Sequence, residues 1–139
     1  MEKIVTRDLT LGSQAEEFSK LVSAGKFSDS LGGQLDAEAG VDRIFEELQR
    51  AKESGRGVFV VGNGGSAAVA SHVVTDFVNK GGVRASTLHD SALLSCMAND
   101  YGYENAFERI LSTMVQEGDV LIAISSSGQS VNIHNAVRR

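Results

Sequence analysis

A chain of 139 residues, 42% of them hydrophobic, can bury one core and falls in the size range of a single domain. Its formal charge of -5, with Lys and Arg spread along the chain, leaves no basic tract to neutralise a run of phosphates, so nucleic acid is not expected as a ligand. No apolar run approaches the ~20 residues of a membrane span, and the stretch from Met1 to Asp8 lacks the apolar segment of a signal peptide, which points to a cytoplasmic protein without membrane contact.

Two helices are expected first. In residues 13–24, Ser13 and Glu16 have capping-box spacing, and Phe18, Leu21 and Val22 recur at helical intervals. Across residues 41–54, Val41, Ile44, Phe45, Leu48 and Ala51 form an apolar stripe that ends at Gly55. The pattern then changes to a continuous apolar, β-branched run, Val58-Phe59-Val60-Val61, closed by Gly62-Asn63-Gly64-Gly65; this predicts a buried strand entering a tight turn. Helical spacing returns over 66–78, and Gly81-Gly82 precede a weaker strand over 84–88. Helices over 91–98 and 105–115 lead to a second clear strand over 119–124, and a last helix begins at Ser130. Strands alternating with helices predict an α/β fold, a parallel sheet flanked by helices on both faces. Proline is absent, so the turns rely on Gly, Asn, Asp and Ser. The one cysteine, Cys96, cannot form an internal disulfide and sits in a mostly apolar run, where a buried thiol is expected.

In open parallel sheets, ligands gather where strand ends lead into helix starts. Two loops there are chemically unusual. Gly62-Asn63-Gly64-Gly65-Ser66 combines a backbone free to approach a ligand with side-chain donors and acceptors beside a helix start, which suits an anionic or polyhydroxyl ligand. The same residues also suit a plain tight turn with Ser66 as the helix cap. Ser125-Ser126-Ser127-Gly128-Gln129-Ser130 offers four hydroxyls and several backbone donors around a glycine, a phosphate cradle without Lys or Arg, and equally a solvated Ser-rich turn. Between the loops, His72 and Asp76 stand four apart on one helix, with Lys80 four further on and Val69, Val73 and Phe77 as the neighbouring apolar row. At the edge of a buried face such a pair can exchange protons or ligate a metal; on a helix surface it is an ordinary side-chain contact. His89 and His134 have no constellation around them and are expected to be solvated or locally hydrogen-bonded.

Four ordered motifs resemble those of the phosphoheptose isomerases of the sugar isomerase (SIS) superfamily: Gly62-Asn63-Gly64-Gly65-Ser66-Ala67-Ala68; His72; Ala98-Asn99-Asp100-Tyr101-Gly102-Tyr103; and the run from Gly118 through Ser130. The resemblance implies an SIS-type αβα sandwich and an aldose-ketose isomerase converting D-sedoheptulose 7-phosphate to D-glycero-D-manno-heptose 7-phosphate. It implies that Ser125, Ser126, Ser127 and Ser130 hold the phosphate, and that Asn63, Gly64, Ser66, Asn99 and Asp100 line the sugar. Asp76 falls at the family's acid/base position, and His72 with Asp76 resembles half of a zinc site. It further implies a homotetramer, with residues 1–56 as a helical lead-in making oligomer contacts and residues 57–139 as the phosphosugar-binding domain. That domain is expected to be incomplete, since the family continues with two strands and a helix bearing a Gln and a His. Asp76 and Lys80 depart from the Glu and Arg of better-known enzymes, and Val131 from a common proline. A rival expectation from the same resemblance is a non-catalytic SIS module that binds a sugar phosphate or the replication initiator DnaA; the intact Ser loop and His72 favour the sugar site.

Overall fold

The computed structural model describes residues 10–139. The segment from Met1 to Asp8, where no signal peptide is expected, lies outside the described residues. The chain divides into two compact units after Ile44.

The first unit holds helix α1 (Leu11–Ser23), a short antiparallel hairpin of β1 (Phe27–Ser28) and β2 (Gln34–Leu35), and the start of α2 (Ala37–Glu53). Thr10, not Ser13, caps α1: its Oγ1 accepts the Ser13 N–H at 3.1 Å, so the helix begins two residues earlier than the Ser13–Glu16 spacing suggests. Asp29 closes the hairpin turn by accepting from Leu31 N–H at 2.9 Å and Gly33 N–H at 2.7 Å, an Asx-type turn. Asp36 caps α2 through Ala39 N–H at 2.8 Å. Gly40 lies against the Phe27 ring, where any Cβ would collide, which explains a glycine inside a helix.

The second unit is a three-stranded parallel sheet in the order β4-β3-β5, formed by β3 (Gly57–Gly62), β4 (Arg84–Thr87) and β5 (Val120–Ile124). Central β3 is buried along its whole length because both of its faces are covered. Its residues alternate between two cores. Phe59 and Val61 pack with Leu88, with Phe107, Ile110 and Leu111 of α5 (Tyr103–Met114), and with Ile133 and Ala136 of α6 (Val131–Arg138). Val58 and Val60 pack on the other face with Ala51 at the end of α2 and Ala70 of α3 (Gly65–Asp76). Each of these buried valines contributes roughly 1.5–3 kcal/mol relative to exposure. The result is the expected αβα sandwich, with both strong strands where their apolar runs lie.

Several local expectations are corrected. The core face of α3 is Ala70, Val73 and Val74, continued by Phe77, whereas Val69 is exposed. His72 follows Ala70 by two residues, roughly 200° around the helix at 100° per residue, so it stands on the solvent side and not at a buried edge. Beyond Asp76, Phe77–Gly81 loosens into a π-helical turn that ends in left-handed Gly82, so Lys80 stands on a wider turn than α-helical spacing assumes. The next helix, α4 (Ser91–Tyr101), runs three residues further than its spacing suggests and turns Leu93, Leu94 and Met97 to the core. That leaves Cys96 exposed, its thiol 3.7 Å from the Asp100 carboxylate, so the expectation of a buried thiol fails.

Candidate functional site

Both unusual loops lie at carboxyl ends of neighbouring strands, β3 and β5, and each opens a helix. At the first, Gly62 packs so closely on Ser66 that an added Cβ would meet its backbone at 2.7 Å, which makes glycine obligatory. The helix cap is Gly64, at φ +53°, with no side-chain cap; Ser66 already lies inside α3, its N–H bonded to the Asn63 carbonyl at 2.9 Å. The alternative of Ser66 as the cap is therefore wrong. Gly62 also donates its N–H to Nε2 of His89 at 3.3 Å. That bond puts the proton of the neutral ring on Nδ1, which is buried without a partner among the described residues. Burial pushes the His89 pKa below the ordinary imidazole value.

The serine loop uses two of its hydroxyls to hold its own backbone. Ser125 Oγ accepts Gly128 N–H at 3.1 Å and Ser127 Oγ accepts Gln129 N–H at 3.2 Å, while Gly128 takes the left-handed conformation at φ +64°. A serine that accepts through a lone pair keeps its O–H to donate, so both hydroxyls remain competent toward a phosphate oxygen. Ser126 is exposed, and Ser130 occupies the N-cap position of α6 without making a side-chain cap bond. The first N–H groups of α6, which an α-helix cannot satisfy internally, face the same end.

The side chains of Asn63 and Asn132 join the two loops. Asn63 Nδ2 donates to Asn132 Oδ1 and Asn132 Nδ2 donates to Asn63 Oδ1, both at 2.9 Å. The Tyr103 hydroxyl donates to Asn63 Oδ1 at 2.8 Å. Helical periodicity singles out neither partner. Asn132 is 4% exposed on the core side of α6, next to Ile133, and a polar residue between apolar neighbours just after a ligand loop is the signal it offers.

The remaining candidates are less connected. Asn99 Nδ2 bonds the neighbouring Asp100 Oδ1 at 2.9 Å in the last turn of α4, and both residues are exposed. His72 Nε2 and Asp76 Oδ2 are 3.6 Å apart, an ion-pair distance and too long for a hydrogen bond, with side chains 80% and 59% exposed. His134, one turn into α6, holds the serine loop through Gly128 O at 2.7 Å. An apolar groove of about 290 Å³ between α5, β5 and α6, lined by Leu111, Leu121, Ala136 and Val137 among others, includes no residue of either loop.

The SIS domain family model matches residues 31–139. Among curated relatives, the chain is 36% identical over 125 residues to a phosphoheptose isomerase of Geotalea daltonii, covering 86% of this chain and 64% of the relative. It is 40% identical over 105 residues to that of Clostridium acetobutylicum, covering 71% and 54%. A solved phosphoheptose isomerase from Neisseria gonorrhoeae superposes with TM-score 0.63 at 26% identity, covering 93% of this chain and 68% of that one. One from Francisella tularensis, at 22% identity, shares the fold with TM-score 0.73, covering 91% and 64%. The chain thus spans between about half and two thirds of the length of these relatives. It belongs to the SIS domain family.

Proposed function

We propose that this SIS-domain chain binds a sugar phosphate and carries part of the machinery of a phosphoheptose isomerase, acting between D-sedoheptulose 7-phosphate and D-glycero-D-manno-heptose 7-phosphate. The observation that carries the reading is the bonded pair of loops: a serine cradle at the end of β5 and a glycine turn at the end of β3, tied side by side through Asn63 and Asn132. The relatives named as phosphoheptose isomerases supply the reaction.

In this reading Ser125, Ser126, Ser127 and Ser130 hold the phosphate, helped by the N–H groups and partial positive charge at the start of α6. Asn63, Gly64, Ser66, Asn99 and Asp100 line the sugar. The reaction moves one proton between adjacent carbons. A base takes the proton from the carbon beside the carbonyl, its electron pair becomes the C=C bond of an enediol, and the carbonyl oxygen gains a proton. Return of a proton to the former carbonyl carbon, with loss of the O–H proton from the carbon first deprotonated, which becomes the new carbonyl, completes the exchange. We assign the base to Asp76.

Zinc is part of the proposal only through His72 and Asp76. Zinc takes three or four protein ligands, and among the described residues no group of three or more His, Cys, Asp or Glu side chains is placed to hold a metal. The pair does not fit zinc by itself, and no step is routed through it. We further propose a cytoplasmic homotetramer; among the described residues no helix is long and apolar enough to cross a membrane.

The test is calorimetric titration with sedoheptulose 7-phosphate, followed by NMR of the sugar in deuterated water. Saturable binding with deuterium entering the carbon beside the carbonyl is expected, and absence of binding overturns the proposal. Binding without turnover is the second reading, favoured by the solvent-facing position of Asp76; binding without deuterium incorporation selects it.

A further inference from the structure

We infer that Tyr103 is a positioning residue that fixes which end of the Asn63 amide meets the ligand. The inference rests on the sugar-phosphate reading above and adds to it a residue that contacts no ligand.

Three elements meet at Asn63: its own glycine loop, the first turn of α5 through Tyr103, and the first turn of α6 through Asn132. A reciprocal pair of amides is degenerate. If the Asn63 and Asn132 amides flip together, each donor becomes an acceptor and both bonds survive. Tyr103 biases that pair: its hydroxyl donates to Oδ1 of Asn63 at 2.8 Å, and a phenol, whose oxygen lone pair is drawn into the ring, donates a stronger hydrogen bond than the one it would accept from Nδ2 in the flipped arrangement. In the arrangement it selects, Oδ1 is saturated by two donors, and one N–H of Asn63 is left uncommitted among the described residues. In the flipped arrangement Nδ2 spends both its hydrogens on Asn132 and Tyr103, and the outward group is a lone pair. Tyr103 thus makes Asn63 a donor, the chemistry a carbonyl or hydroxyl oxygen of a sugar requires.

The phenol is suited to this. Its ring packs at a tilt on Phe107, centroids 6.5 Å apart, and Phe107 is fully buried in the core that covers one face of the sheet. The half-exposed ring thus has one contact with the core while its hydroxyl reaches across to another element, and a preorganised donor spares the ligand the entropy of ordering Asn63.

The experiment uses Tyr103→Phe, which keeps the ring and removes the hydroxyl. Calorimetry on the full chain is run with two probes, sedoheptulose 7-phosphate and inorganic phosphate, alongside thermal melting. The sugar phosphate should bind about fivefold more weakly, the scale of one net hydrogen bond. Inorganic phosphate, which needs only the serine loop, should bind as before. In an Asn63→Ala background the same substitution should add nothing, since both changes act through one amide. Unchanged sugar-phosphate affinity overturns the inference, and so does an equal loss for both probes accompanied by a lower melting temperature, which marks a merely structural role. Failure of the unaltered chain to bind sedoheptulose 7-phosphate instead removes the sugar-phosphate reading, and this inference with it.

Discussion

His134 donates its Nε2 hydrogen to the carbonyl of Gly128, 2.7 Å away and six residues back in the chain. A carbonyl can only accept, so that nitrogen must carry the proton. The bond ties the left-handed apex of the serine loop to α6, the helix whose start completes the cradle. His134→Ala should therefore weaken inorganic phosphate binding roughly fivefold, in line with one lost hydrogen bond, with little change in melting because the loop is exposed. Calorimetry at neutral pH checks it, and equal affinity would show that the loop keeps its shape unaided.

Asp76 gives a sharper test of the chemistry. If its carboxylate removes the proton beside the carbonyl, Asp76→Asn keeps sugar-phosphate binding but slows deuterium incorporation by roughly 10² or more, the usual scale for losing an acid/base group. As an exposed partner of His72 alone it would affect stability by less than about 1 kcal/mol and leave the exchange rate unchanged. The two outcomes differ enough for one NMR time course to separate them.

What could be read from the sequence follows from which interactions are local. Strand β3 declares itself because a strand covered on both faces must be apolar without interruption, half-buried β5 carries an equally unbroken apolar run, and the two loops are legible because ligand chemistry concentrates Gly, Asn and Ser in short runs. The β1–β2 hairpin is silent, since two-residue strands have no period to detect. The solvent-facing turn of Cys96 is missed because its composition is apolar while its helix face is set by Leu93, Leu94 and Met97. Asn132 and Tyr103 are missed for a different reason. Their partner Asn63 is 69 and 40 residues away, and nothing in local spacing encodes a bond that only the packed sheet brings about.

The N-terminal unit makes its own prediction. Helix α1 has no buried residue, and its Phe18 and Leu21 are 69% and 67% exposed. Burying each such side chain is worth roughly 1.5–3 kcal/mol, a contribution that favours association of copies of the chain through this face. Light scattering at micromolar concentration should show an oligomer, and Phe18→Glu with Leu21→Glu should yield a monomer whose far-UV spectrum is unchanged. A monomeric unaltered chain would remove α1 as the contact.

The last prediction concerns pH and His89. Burial holds its folded pKa below the ordinary value of 6.5, so around and below pH 6.5 the unfolded chain binds more protons at this site than the folded one. Where the unfolded state takes up more protons, stability rises with pH; the contribution is fully present above about 6.5 and declines as pH falls toward the folded pKa. The structural consequence is specific. Protonation puts a hydrogen on Nε2, where it opposes the Gly62 N–H that now donates to that atom at 3.3 Å, and so pushes on the first residue of the glycine loop. Melting temperatures measured from pH 7.5 down to 5 should fall more steeply for the unaltered chain than for His89→Gln, which cannot become charged. Sugar-phosphate affinity should weaken over the same range in the unaltered chain and less so in the variant. Parallel melting curves for the two proteins would show that His89 does not couple protonation to the fold.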